Sequence, residues 1–257
     1  MIKKVAIIGA QGMLGSDLVK YLGKEFSVVA ITKDNYKDTI GKNFDVVINA
    51  NGNSKRFWAN QHVFEDFQLS TVSVYKSLFD FYYKTYIYIS SSDVYNNHML
   101  PSATKESQLI QSENLCAYGL HKYISECIIR NNTTSYLILR SSMMLGMNMK
   151  KGPIYDILQG KPLFVNKQSQ IQMITTYEIA NILIFFIKHK ITNATYNIGG
   201  KSVVSFKDIE KLFSLPITFE KDSETQMYNM NVSKLNSIYQ LKTSKEYLQD
   251  FIGSLQS

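Results

Sequence analysis

The chain has 257 residues, 45% of them hydrophobic, and carries a formal charge of +7 with a pI near 9.1. That length and apolar content exclude extended disorder and leave room for one large domain, or for one domain with a smaller lobe. The basic residues are scattered, with no stripe interleaved with surface aromatics, so nucleic acid is not an expected partner and the positive surface favours a small anionic substrate.

Two cysteines, Cys116 and Cys127, are too few for a disulfide framework and wrongly spaced for zinc, which fits a reducing, cytoplasmic setting. No metal is expected, because His98, His121 and His189 lie too far apart for a local motif. The first apolar stretch is cut by Gly9, Gln11 and Gly12 and reads as a strand rather than a leader. The longest apolar run, 182–187, is far shorter than the roughly 20 residues a membrane helix needs. A soluble protein with no membrane partner is expected.

In chain order, a β-branched strand over 5–8 precedes a helix over about 13–22, where Leu14, Leu18 and Leu22 share one face. Strands follow at 27–31 and 46–50. Both are continuously apolar, as in a parallel sheet covered by helices on two sides. The pattern then predicts a long helix over about 62–83, a strand over 86–90, a helix over about 117–130 and a strand over 136–140. Alternation of strand and helix implies right-handed crossovers in a doubly wound α/β sheet of Rossmann type.

After Gly146 the pattern loosens. Gly152-Pro153, Gly160-Lys161-Pro162 and Gly199-Gly200 punctuate short elements, and 205–213 reads as a capped helix. The expected division is a dinucleotide-binding domain over 1–145 and a smaller C-terminal substrate-binding lobe over 146–257, with 174–200 returning to the main sheet.

Gly9, Gly12 and Gly15 sit where the first strand passes into the first helix. Missing side chains there allow a tight turn, close approach of backbone to a pyrophosphate, and a helix N-terminus facing the phosphates. Gln11, Met13 and Leu14 complete the loop. An NAD-selective site places a carboxylate about 20 residues further on. Here that position falls on Thr32 or Lys33, a hydroxyl and a cation that suit a 2′-phosphate, so NADP(H) is favoured, while Asp34 keeps NAD(H) open. Ala50, Asn51 and Gly52, after the third strand, are placed beside the nicotinamide half.

Tyr118 and Lys122 lie at i and i+4 of a predicted helix and so project from one face. A cation beside a phenol lowers its pKa from about 10, making a usable acid or base. With 17 tyrosines in the chain the spacing says little alone. The strand before that helix ends in Ser90, Ser91, Ser92 and Asp93, at the sheet edge where α/β proteins bind ligands, although strand-end turns favour Ser and Asp anyway.

Taken together, Gly9-Ala-Gln-Gly12-Met-Leu-Gly15, Asp45-Val-Val-Ile-Asn-Ala50, Ile89-Ser-Ser-Ser-Asp-Val-Tyr95, Tyr118 to Lys122, Leu139-Arg140-Ser-Ser-Met-Met-Leu-Gly146, Ile174-Thr-Thr-Tyr-Glu-Ile-Ala180 and Tyr196-Asn-Ile-Gly-Gly200 resemble the extended short-chain dehydrogenase/reductase family. That group contains nucleotide-sugar epimerases, dehydratases and 4-keto-sugar reductases. The resemblance implies Ser91 as the catalytic hydroxyl, with Ser92 the fallback. It also implies Tyr118 as acid/base and Lys122 as the ribose-holding cation.

Dehydratases of the family carry two acidic residues where this chain has Ser92 and Asp93. Ketone-adjacent epimerases carry Cys at the Asp93 position and a histidine after the 140–146 segment, where none stands here. Elimination favours reduction of a 4-keto sugar nucleotide, with Tyr118 donating the proton. Asp93 as a lone base keeps epimerisation open. A non-catalytic NADP(H)-binding sensor or scaffold is the other alternative, and the Tyr118–Lys122 pair argues against it.

The expected substrate-binding residues are Ser91, Ser92, Asp93, Met143 and Lys150. Lys150, Lys151 or Lys161 would stand in for a diphosphate-holding arginine that the family often places before 174–180, where this chain reads Ser169-Gln-Ile-Gln-Met173. Lys55, Arg56 and Trp58 are candidates for the cofactor mouth, and Cys116 is expected nearby without a chemical role. Pairing of the 62–83 helix into a homodimer is the expected assembly.

Overall fold

The computed structural model describes residues 3–213 and 216–255. Strand β1 (Lys4–Ile8) leads into helix α1 (Met13–Leu22), followed by β2 (Ser27–Ile31), the one-turn α2 (Tyr36–Thr39) and β3 (Asn43–Asn49). Next come α3 (Arg56–Gln61), α4 (Val63–Phe67), a π turn (Gln68–Val72), α5 (Ser73–Asp80), β4 (Tyr82–Ser91), α6 (Ala117–Asn132) and β5 (Tyr136–Ser141).

The chain then forms β6 (Met143–Leu145), α7 (Pro153–Leu158), β7 (Leu163–Val165), β8 (Gln170–Ile171), β9 (Met173–Thr175) and α8 (Thr176–Lys188). Strand β10 (Ala194–Ile198), β11 (Val204–Ser205), α9 (Phe206–Phe213), β12 (Phe219–Glu224), α10 (Ser233–Asn236) and α11 (Ser244–Leu255) complete it.

Six parallel strands form one sheet in the order β10-β5-β4-β3-β1-β2. Strand direction reverses its spatial progression between β1 and β3, which opens a ligand crevice at the carboxyl ends of those two strands. The continuously apolar strands divide their side chains between two cores. Val5, Ile7, Val46, Ile48, Ile87 and Ile89 pack with Leu14, Leu18 and Leu22 of α1 and with α8. Ala6, Ile8, Val47, Tyr86 and Tyr88 pack with Val74 and Leu78 of α5 and Ile129 of α6. Both faces of the sheet are therefore covered, as a parallel sheet requires.

The region predicted as one helix over 62–83 is built differently. Its middle turn is π, and α5 stops at Asp80 so that β4 begins at Tyr82, four residues earlier than expected. Tertiary contacts account for both changes. Thr71 Oγ1 donates to the His121 carbonyl at 3.1 Å and Ser125 Oγ to the Ser70 carbonyl at 3.2 Å, which stabilises the widened turn against α6. Tyr82 and Tyr83 pair in register with Asn43 and Phe44 of β3.

A separate apolar cluster gathers Leu145, Ile154, Leu163, Met173, Phe206, Ile209, Leu248 and Phe251 around the short strands that follow β5. Ser205 caps α9 by accepting the Asp208 N–H. No described helix is long and apolar enough to cross a membrane.

Candidate active site

The glycine loop turns sharply at Gly9, whose φ is +83°, and a Cβ there would stand 3.0 Å from backbone atoms of Ala50 and Asn51. Gly15 brings α1 onto the strand end: a Cβ would come within 2.0 Å of the Gly9 carbonyl oxygen. Gly12 starts α1 with no side-chain cap, and the first turn holds no carboxylate. An uncapped helix N-terminus of this kind offers N–H donors and partial positive charge to a phosphate. The cradle therefore fits a dinucleotide.

At the end of β2, Asn35 pins the turn by accepting the Thr32 N–H at 2.8 Å and donating to the Ala30 carbonyl at 3.0 Å. Lys33 projects from that turn into solvent, and Gln11 reaches from the glycine loop to Asp34 at 3.3 Å. After β3, the Ala50 N–H donates to Ile8, and Asn51 bonds Ser73 Oγ at 3.3 Å. Gly52, at φ +117°, faces Lys122: a Cβ there would lie 3.5 Å from Nζ.

Strand β4 and the start of α6 bring the reactive groups together. Their approach depends on Gly119, where a Cβ would stand 2.1 Å from the Asp93 carbonyl oxygen. Ser91 Oγ donates to Asp93 Oδ2 at 3.1 Å and accepts the Asp93 N–H at 3.2 Å. Tyr118 is only 9% exposed and shares a hydrogen bond with Ser91. The cation-lowered phenol expected from the Tyr118–Lys122 spacing is corrected here. Burial, then the Asp93 carboxylate, push this phenol above its ordinary value, outweighing the opposing pull of Ser91. Tyr118 thus stands as a protonated acid.

Lys122, 6% exposed, donates from Nζ to the Ile89 carbonyl at 3.2 Å and lies 5.0 Å from the centre of the Tyr88 ring. Burial lowers its pKa to about 8, against the opposing influence of Asp66 and Glu126.

Beneath these groups lies a buried ion network. Glu126 accepts from Ser90 Oγ at 2.7 Å, from Arg140 Nε and Nη2 at 3.0 and 2.7 Å, and from Arg130 Nη2 at 2.8 Å. It joins β4, α6 and β5 immediately behind Ser91. Arg140 also lies over the Tyr95 ring, whose hydroxyl donates to Asn197 of β10 at 2.8 Å.

Asp93 is tied down rather than free. Arg56 Nε approaches its carboxylate at 3.4 Å, the Tyr228 hydroxyl donates to Oδ1 at 3.2 Å, and Arg56 also donates to Tyr228. His98 stacks on Tyr228 at 4.2 Å. Ser91, Arg56 and Tyr228 thus all engage the Asp93 carboxylate.

The remaining candidates are spread more widely. Ser92 is buried in the one-turn helix after β4. Trp58 stacks on His62, while its neighbour Arg56 turns to Asp93, with Cys116 beside the guanidinium. Met143 is half-buried on β6. Lys150 is exposed, and the adjacent Lys151 has a buried ammonium with no hydrogen-bond partner. Lys161 lies over the Tyr155 ring. Arg56 was noted in the sequence only for its position, and Tyr228 carried no signal among so many tyrosines.

Residues 5–199 match the NAD dependent epimerase/dehydratase family. The chain belongs to that family. It is an NAD(P)-dependent oxidoreductase of the extended short-chain dehydrogenase/reductase type. Comparison with curated protein sequences returns no match.

Among solved structures, the fold is similar to a dTDP-4-dehydrorhamnose reductase from Clostridium acetobutylicum, with a TM-score of 0.77, 18% identity, and 99% of this chain and 100% of that one covered. It is also similar to the dTDP-4-dehydrorhamnose reductase of Bacillus anthracis, solved with NADP, with a TM-score of 0.79, 15% identity, and coverage of 100% and 99%. The UDP-glucose 4-epimerase of Thermotoga maritima, solved with UDP-glucose, gives a TM-score of 0.76 and 13% identity over 99% and 100%. Reductases and epimerases are thus matched alike.

Proposed function

We propose that this enzyme reduces a nucleotide-linked 4-keto sugar with NADP(H). The observation that carries the reading is the contrast between Tyr118 and Asp93. The phenol is buried and held protonated, as a proton donor must be, while the carboxylate that epimerisation or dehydration would use as a base is occupied by Arg56 and Tyr228.

Gly9, Gln11, Gly12, Met13, Leu14 and Gly15 would hold the pyrophosphate, Thr32 and Lys33 the adenosine end, and Ala50, Asn51, Gly52 and Lys122 the nicotinamide end. The chemistry the cofactor supplies when bound is a hydride to the ketone carbon. Ser91 turns its hydroxyl from Asp93 to the ketone oxygen and polarises it. Tyr118 then delivers its proton to that oxygen, and Lys122 steadies the phenolate left behind. Turnover of NADPH with nucleotide-linked 4-keto sugars is the direct test. Sustained epimerisation without net cofactor oxidation would overturn it.

For the cofactor, NADP(H) is favoured because Lys33 is exposed and unpaired beside the β2 turn. A charge-assisted contact to a 2′-phosphate predicts NADPH binding roughly tenfold or more tighter than NADH. Lys33→Ala should erase that gap in a fluorescence titration. Equal affinities in the unaltered enzyme would overturn the NADP(H) preference.

We also propose a homodimer through the helices that precede β4, where Phe64, Leu69, Val72, Tyr75 and Phe79 are all exposed. Sedimentation velocity should show a dimer that Phe79→Lys weakens. A monomer at every concentration would exclude it. Both cysteines are free, which fits a reducing, cytoplasmic location.

A further inference from the structure

His121, next to Lys122 on α6, belongs to a buried polar cluster that the proposed chemistry does not use. Its Nδ1 donates to Asp66 Oδ2 at 2.6 Å, and Asp66 is fully buried on α4. The other carboxylate oxygen accepts from Asn53 Nδ2 at 2.9 Å and from Ser70 Oγ at 3.2 Å. Ser70 Oγ in turn accepts the Asn53 N–H at 3.2 Å. The loop after β3 is therefore fastened to one carboxylate.

That loop is the one that passes Lys122. A Cβ on Gly52 would lie in ordinary contact with both Ser70 Oγ, at 3.4 Å, and Lys122 Nζ, at 3.5 Å, so the loop runs directly between the ammonium and the Ser70–Asp66 cluster, at a φ of +117° that favours glycine. The titratable groups around Lys122 are Tyr88 on β4, Tyr118 and Glu126 on α6, and Asp66 on α4. Of the two carboxylates, Glu126 is already matched by Arg130 and Arg140. Asp66 has no guanidinium partner. A fully buried carboxylate needs compensating charge or several donors, and a buried ammonium needs the same.

We infer that Asp66 is a positioning residue, acting as the buried counter-charge of Lys122 and as the anchor of the 51–55 loop beside that ammonium. The inference rests on the proposed cofactor-holding role of Lys122. It agrees with the balance at that lysine, where burial pulls the pKa down and Asp66, then Glu126, push it back up.

The test is the pH dependence of NADPH affinity and of kcat/KM in the unaltered enzyme, Asp66→Asn and His121→Gln. Lys122 acts as a cation, so its contribution is present below its pKa and lost as pH rises through it. Removing the carboxylate lowers that pKa. In Asp66→Asn the alkaline limb should move down by about one pH unit, a loss of roughly fivefold at pH 8 that approaches about tenfold at pH 9, with little change at pH 6. His121→Gln keeps the carboxylate and a donor to it, so its limb should stay in place.

An equal loss at every pH in Asp66→Asn would reduce Asp66 to a structural residue and overturn the inference. A limb that moves as far in His121→Gln would assign the titration to the imidazole and overturn it as well. If Asp66→Asn does not fold, Ser70→Ala decides the anchoring: NADPH affinity should fall several-fold with the limb unmoved, and unchanged affinity would contradict it. Lys122→Met, run in parallel, tests the underlying role, since NADPH binding indifferent to it would defeat the cofactor-holding reading itself.

Discussion

Tyr118→Phe is expected to lower kcat by about 10²- to 10⁴-fold, the usual contribution of a positioned general acid. NADPH affinity should remain within about twofold. The phenol is nearly buried, shares a hydrogen bond with Ser91 and lies near the Asp93 carboxylate, so its environment is built around the protonated form. Phenylalanine keeps the ring and its packing and removes only the proton. Single-turnover measurement of NADPH oxidation separates chemistry from binding. Turnover unaffected by the change would remove Tyr118 from the mechanism, and lost cofactor binding would make its role structural.

The second large effect concerns stability. Glu126→Ala should destabilise the fold by about 3–5 kcal/mol, the range for breaking a buried ion pair by deleting one partner. Glu126 has no solvent exposure and serves Ser90, Arg130 and Arg140, while Arg140 Nη1 already lacks a partner. Deleting the carboxylate leaves a buried guanidinium uncompensated directly behind the Ser91 strand. Urea denaturation should show the midpoint falling with an unchanged slope. A loss below about 1 kcal/mol would mean that the network contributes as little as a surface pair.

The same carboxylate sets an acid limit. Burial alone would raise its pKa, but Arg140 and then Arg130 hold it below the ordinary carboxylate value. A carboxyl depressed in the folded state contributes stability above its unfolded pKa of about 4.3 and loses it as pH falls through the folded value. Acid unfolding should therefore begin at a higher pH in Glu126→Gln.

Much of the sheet was legible because its strands are continuous apolar runs and its helices carry the 3.6-residue period, as at Leu14, Leu18 and Leu22. The 62–83 segment was misread for a physical reason. Its π turn and its early exit into β4 are stabilised by Thr71 against α6 and by pairing of Tyr82 with β3, contacts made far along the chain. Strands β8 and β11, of two residues each, are too short to show any period.

The glycine loop could be located from its mechanical requirement, and Ser91, Tyr118 and Lys122 could be singled out only through the family resemblance of the segments around them. Arg56, Tyr228 and Asp66 could not. Tyr228 meets Asp93 across 135 residues and Asp66 meets His121 across 55, with no spacing rule to announce either. The direction of the Tyr118 shift was also beyond the sequence, since it depends on burial and on Asp93 rather than on the i, i+4 lysine alone.

The most direct test of the proposed reductase is a panel of CDP-, dTDP-, GDP- and UDP-linked 4-keto-6-deoxy sugars, followed at the absorbance of reduced nicotinamide. At least one should oxidise NADPH stoichiometrically and yield the corresponding 4-hydroxy sugar. Absence of NADPH oxidation with every member, or a product epimerised with the cofactor unconsumed, would contradict the assignment of Tyr118 as the proton donor in a net reduction.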